Sequence, residues 1–80
     1  MSSDVEDRTR RVVAEVFGLP VEQVTLATSH ETLPDWDSLN VLNVLMAVES
    51  EFGVTVAPEE AAEFVSVERI VAVLRSKNVG

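Results

Sequence analysis

The chain has 80 residues, a formal net charge of −8 at pH 7 and no cysteine. This length allows one small domain, residues 1–80, and a hydrophobic fraction of 46% is sufficient for a folded core. The composition excludes a disulfide framework and a thiolate zinc site, and no apolar run is long enough for a membrane span. The acidic N-terminus argues against a signal peptide, so we expect a cytoplasmic protein.

Charge is unevenly distributed along the chain. No Lys or Arg occurs between Val12 and Glu68, whereas acidic residues are frequent there. Such a surface repels phosphate backbones and anionic lipid, so we predict no binding to nucleic acid or membranes. It would attract basic protein partners, although an acidic surface that only aids solubility is the commoner explanation.

The first predicted element is an amphipathic helix from Asp4 to Phe17. Apolar or near-apolar residues recur with i, i+3, i+4, i+7 spacing: Val5, Thr9, Val12, Val13, Val16 and Phe17. Ser3 or Asp4 can cap its start, and Gly18 followed by Pro20 ends it.

A long loop from Gly18 to Asp37 follows, without sustained periodicity. We expect a short turn at Val21–Val24, and attachment of the loop to the core through Val24, Leu26 and Leu33. Loops of this length are uncommon in compact domains and are often functional.

The second helix, from Ser38 to Phe52, has two apolar faces. One face consists of Val41, Val44, Leu45, Val48 and Phe52. The other face, which we call the second stripe, consists of Leu39, Leu42 and Met46. A surface helix needs only one apolar face, so we expect the second stripe to be partly exposed for a partner. Gly53 supplies the C-cap.

The rest of the chain is predicted to form an extended link at Val54 and Val56, a short helix from Pro58, and a last helix from Ser66 to Ser76. The apolar positions of the last helix are Val67, Ile70, Val71 and Leu74. These elements predict an all-α, four-helix bundle of three longer helices and one short helix, with the long loop between the first and second.

Ser38 is the main candidate for chemistry, because it begins the second helix directly after Asp37. Either residue could cap the helix, so the pair exceeds what capping requires. A serine nucleophile needs a positioned base, but His30 is the only histidine and no G-x-S-x-G elbow is present, which disfavours a hydrolase. A calcium loop counted from Asp35 also fails, because Met46 stands where an EF-hand requires glutamate. We predict no metal site.

Trp36 is the only tryptophan, and two alternatives remain open for it. The ring could be buried against the loop, or it could contact a partner or a ligand beside Ser38.

The stretches “LPDWDSL”, “ESEFGV” and “VSVERIVAVL” resemble the acyl carrier and peptidyl carrier proteins, and the resemblance covers nearly the whole chain. It implies that Ser38 carries 4′-phosphopantetheine, attached from coenzyme A by a phosphopantetheinyl transferase, with Asp37 supporting the attachment. It also implies that the second helix docks successive enzymes, with Leu39, Met46 and Glu49 as candidate partner contacts.

The implied function is that of a non-catalytic carrier, which holds an acyl or aminoacyl group as a thioester and delivers it among loading and processing enzymes. Asn40, Asn43 and Ser50 stand where fatty-acid carriers usually have acidic residues, and “WDSL” is more reminiscent of carriers in polyketide, nonribosomal peptide or related specialised pathways. We therefore expect a free-standing, monomeric carrier of a specialised pathway. The alternative is an unmodified helical protein-interaction module.

Overall fold

A computed structural model describes residues 4–77 of the chain. Its α-helices follow in the order α1 Asp4–Phe17, α2 Ser38–Phe52, α3 Pro58–Ala61 and α4 Val67–Ser76, with a 3₁₀ turn at Val21–Gln23. The predicted all-α bundle of three longer helices and one short helix is confirmed, as is the long loop before α2. Among residues 4–77, no helix combines the length and the apolar character that crossing a membrane requires.

α1 packs against both α2 and α4 and supplies the centre of the core. Its buried side chains are Val5, Thr9, Val12, Val13 and Ala14. They lie on one face because they recur with helical spacing, which is the face predicted from the sequence. The predicted capping side chains of Ser3 and Asp4 lie outside what the structure describes.

α2 turns its predicted core face inward, and Val44 and Val48 are buried there. The helix ends at Gly53, whose φ of 66° lies in the left-handed region and whose N–H donates to the Glu49 carbonyl oxygen at 2.9 Å. A residue without Cβ adopts this conformation without steric cost, so the predicted glycine C-cap is confirmed.

The long loop is held to α1 by Arg10. Its Nε donates to the Val24 carbonyl oxygen at 2.6 Å, and its Nη2 donates to the Val21 carbonyl oxygen at 3.1 Å. Val24 is buried, and Leu26 and Leu33 are partly buried against the core, so the predicted apolar contacts of the loop are confirmed.

The same loop also meets the segment before α4. Ser29 and Ser66 form an isolated antiparallel bridge, and the His30 N–H donates to the Val65 carbonyl oxygen at 3.3 Å. Ser66 is the N-cap of α4, because its side chain accepts from the Arg69 N–H at 3.2 Å. The first helical residue is therefore Val67. This pairing brings the loop close to the start of α2.

Candidate functional site

Ser38 is the first residue of α2 and is exposed. The helix is capped by Asp37, whose Oδ1 accepts from the Asn40 N–H at 2.9 Å. The Asp37 backbone is extended, as is usual for a residue that caps a helix, and its carbonyl oxygen accepts from the Val41 N–H. Asp37 therefore caps the helix, and the hydroxyl group of Ser38 is not needed for this role.

The chain that leads into Ser38 is fixed by Trp36. The indole ring is only 7% exposed and stacks on Phe17, with ring centroids 5.5 Å apart and an interplanar angle of 23°. Its Nε1 donates to the Phe64 carbonyl oxygen at 3.1 Å. Of the two alternatives for Trp36, burial describes its position. Its ring does not present a broad exposed face to a partner.

Asn40 strengthens the same turn. Its Nδ2 donates to the Asp35 carbonyl oxygen at 2.8 Å, so the first turn of α2 is bonded to the segment before the cap. The Asn43 Nδ2 in turn donates to the Asn40 Oδ1 at 3.4 Å. Both amides thus help to hold Ser38 in place.

An open pocket of about 440 Å³ lies beside Ser38. It is lined by His30, Trp36, Asp37, Ser38, Val41, Ala61, Ala62, Phe64 and Val65. Most of these side chains are apolar or small, and the ionisable ones are Asp37 and His30. Sequence patterns alone do not connect His30 with Ser38, because the two are brought together by the pairing of the loop with residues 65 and 66.

The site suits a group linked through phosphate. Ser38 stands at the N-terminal end of a helix of 15 residues, where the helix dipole and the unpaired N–H groups favour negative charge. The first turn of α2 itself contains no acidic residue, and the Asp37 carboxylate just before it accepts from the Asn40 N–H. The hydroxyl is exposed and the pocket provides space next to it, so these residues fit a phosphate-linked arm. Among residues 4–77, no group of three or more His, Asp or Glu side chains is arranged to hold a metal ion.

The second stripe lies on the same helix as Ser38. Leu39, Leu42 and Met46 are 67%, 51% and 56% exposed, so the expected exposure of these side chains is confirmed. Glu49, on the same helix, is partly buried, and its Oε2 accepts from the Val56 N–H at 2.7 Å. Glu51 is likewise paired, with the Arg8 Nε at 2.9 Å.

The sequence matches the family model described as phosphopantetheine attachment site over residues 7–74, which is most of the chain. The chain belongs to this family. Domains of the family are non-catalytic carriers to which 4′-phosphopantetheine is attached covalently, and they interact with phosphopantetheinyl transferases and biosynthetic enzymes. The resemblance inferred from the motifs is therefore confirmed at the level of family, cofactor and carrier role.

Proposed function

We propose that Ser38 is the residue to which 4′-phosphopantetheine is attached, and that Asp37 supports the attachment. The observation that carries this proposal is the exposed hydroxyl at the first residue of α2, where Asp37 performs the capping. Ser38 also lies inside the matched residues 7–74.

In the proposed attachment, the Ser38 Oγ attacks the phosphorus that bears the pantetheine arm and gives its proton to a base of the transferase. The P–O bond of the coenzyme A pyrophosphate breaks, a phosphodiester to Ser38 forms, and the nucleotide leaves with the other phosphate. The residues of this chain act by positioning. Asp37 fixes the first helical turn, Asn40 bonds that turn to the preceding segment, and Trp36 anchors the segment to Phe64. The attached group supplies a thiol that holds an acyl or aminoacyl group as a thioester.

The proposed benefit of the arm is a high effective concentration of the intermediate. A tethered intermediate need not be captured from solution by each enzyme in turn. The carrier would work as a cytoplasmic monomer, with α2 accessible to one enzyme at a time.

We propose that these enzymes dock on the second stripe, with Leu39 and Met46 as contacts. Large apolar side chains that remain exposed on a small domain are typical of interaction surfaces. From Ser38 to Val48, α2 carries no charged residue, and Glu49 and Glu51 are engaged within the domain. The proposed partner surface is therefore apolar. Glu49 and Trp36, also predicted as contacts, would act indirectly by holding the link after α2 and the segment before Ser38.

A matched pair of serine variants tests the attachment residue. Wild-type protein incubated with coenzyme A and a promiscuous transferase should gain the mass of one phosphopantetheine. Ser38→Ala should stay folded and gain nothing, whereas Ser50→Ala, which changes an exposed serine near the other end of α2, should be modified like the wild type. Modification of Ser38→Ala at the wild-type level would refute the proposal.

We also propose that the carrier serves a polyketide, nonribosomal peptide or related specialised pathway. The “WDSL” motif and the uncharged first part of α2 support this assignment. Intact mass of the protein from its native host would identify the cargo, and a series of ordinary fatty acyl groups would contradict the proposed pathway. A chain that carries no arm in the host would instead favour the unmodified interaction module.

A further inference from the structure

We propose that the His30 imidazole binds the phosphodiester of the arm attached to Ser38, and that protonation of His30 holds the arm in the adjoining pocket. This proposal rests on the proposed attachment at Ser38. It assigns a role to the only histidine of the chain, which the carrier function does not otherwise use.

The fold brings His30 to the site through contacts made far from Ser38 in sequence. Ser29 bridges to Ser66, and the His30 N–H donates to the Val65 carbonyl oxygen at 3.3 Å. With its backbone fixed in this way, the exposed imidazole lines the same pocket of about 440 Å³ as Ser38. An anion carried on the Ser38 oxygen would therefore enter a space that the imidazole already borders.

The charges around this pocket make His30 the complementary group. It is the one pocket-lining side chain that can become positive, and no Lys or Arg occurs between Val12 and Glu68. A protonated imidazole offers two N–H donors, and a phosphodiester carries a negative charge with oxygen acceptors.

The other ionisable groups near His30 cannot take its place as a cationic partner for the phosphodiester. Asp37, on the α2 side of the pocket, is acidic and accepts from the Asn40 N–H. Glu31, on the same loop, is exposed and acidic. On the side formed by residues 61–65, Glu63 is paired with Arg69, and the pocket-lining residues there are uncharged. None of these groups offers a cationic donor to the arm.

The expected consequence is a contact that depends on pH. Histidine gains its proton within about pH 5 to 8, so the arm should be held at the pocket in the lower part of that range and released in the upper part. A negative charge placed beside an imidazole favours its protonated form, so the midpoint of the titration should move to higher pH when the arm is attached.

The test follows the imidazole resonances by NMR at low salt in the unloaded and the loaded protein, with loading first confirmed by mass. Because His30 is the only histidine, its signals are identified without further assignment. The midpoint should rise on loading, and the ³¹P resonance of the arm should shift over the same pH range. In His30→Gln, the ³¹P resonance should not change over that range.

The matched control moves the histidine to the other end of α2. The double variant His30→Gln with Thr55→His places it at an exposed position two residues after Gly53, the C-cap of a helix that is about 22 Å long. Its titration should be the same before and after loading. An equal change in the wild type and in this control, or no change in the wild type, would overturn the proposal for His30 while leaving the attachment at Ser38 intact. Failure to load the wild type would contradict the attachment itself.

Discussion

The indole Nε1 of Trp36 donates a hydrogen bond to the carbonyl oxygen of Phe64 over 3.1 Å. This bond joins the segment that precedes Ser38 to the opposite wall of the pocket, and the stacking on Phe17 joins the same ring to α1. The position of the proposed attachment residue thus depends on a tryptophan two residues before it.

Trp36→Phe should destabilise the protein by about 1–3 kcal/mol, because the buried Phe64 carbonyl oxygen loses its donor and the smaller ring leaves space. Urea denaturation at neutral pH would measure the free energy of unfolding. Val65→Ala provides a control at an exposed position near the same wall and should change stability by less than about 0.5 kcal/mol. Wild-type stability of Trp36→Phe would contradict a structural role for the indole N–H.

Thr9→Val should stabilise the domain by about 1 kcal/mol. The Thr9 side chain is fully buried, and among residues 4–77 its Oγ1 has no hydrogen-bond partner, so the hydroxyl group loses water on folding without compensation. Valine keeps the shape of threonine and removes this polar group. Thr9→Ser is the opposite control, because it keeps the hydroxyl and deletes a methyl group, and it should lower stability by about 1 kcal/mol.

Leu39→Ala and Met46→Ala should each lower kcat/KM for transfer of the arm by about 5- to 30-fold, which corresponds to the loss of 1–2 kcal/mol of apolar contact. Their free energies of unfolding should stay close to that of the wild type, because both side chains are mainly exposed. The control is Glu15→Ala, an exposed position on α1. Unchanged transfer kinetics in both stripe variants would exclude this surface as the docking site for the transferase.

The docking contact should also depend little on salt. kcat/KM for the carrier is measured at saturating coenzyme A for the wild type and for Asn43→Glu. Taking the ratio of the two values cancels the salt effect that arises from the coenzyme. Asn43→Glu adds a charge to an uncharged stretch of α2. If the transferase surface is basic, kcat/KM of the variant should fall more steeply with ionic strength than that of the wild type. If that surface is apolar, the two proteins should respond equally to ionic strength. We expect the equal response, and a steeper response of the variant would contradict an apolar partner surface.

Glu49→Gln should lower stability by about 1 kcal/mol, because a neutral amide replaces the carboxylate that accepts from the Val56 N–H. Transfer of the arm should change by less than about twofold. A large loss of transfer with unchanged stability would show instead that Glu49 contacts the partner directly, as the sequence suggested.

Glu60 should contribute stability that depends on pH. The hydrogen bond from Lys77, and then the one from the Ala57 N–H, lower the pKa of the Glu60 carboxyl below 4.5. A carboxyl group with a lowered pKa in the folded state stabilises that state above its unfolded pKa and loses this effect as the pH falls through the folded value. Glu60→Gln should therefore be less stable than the wild type at neutral pH, and the difference should shrink as the pH falls through the lowered pKa of Glu60. The stability difference between Lys77→Gln and the wild type should shrink in the same way as the pH falls. A difference between Glu60→Gln and the wild type that stays constant at all pH values would contradict this role of Glu60.

Much of the helical framework could be predicted because its signals are local. The boundaries of α1 and α2 follow from apolar spacing within each segment and from Gly18 and Gly53, and the structure places both helices at the predicted residues. The exposure of the second stripe could also be predicted, since a helix with two apolar faces in a small domain cannot bury both. The motif around Ser38 is likewise a short stretch of chain, so the sequence alone marks it as a candidate site.

The tertiary structure decided which polar groups act inside the domain and which remain at the surface. Asp37 rather than Ser38 caps α2, Glu49 turns back to the Val56 N–H, and Trp36 is buried against Phe17 and Phe64. His30 reaches the pocket only because the loop pairs with residues 65 and 66. Such partners are separated by turns or by tens of residues, so their pairing depends on how the helices pack. Periodicity within one segment carries information about the faces of that segment, but none about the group that another segment brings to it.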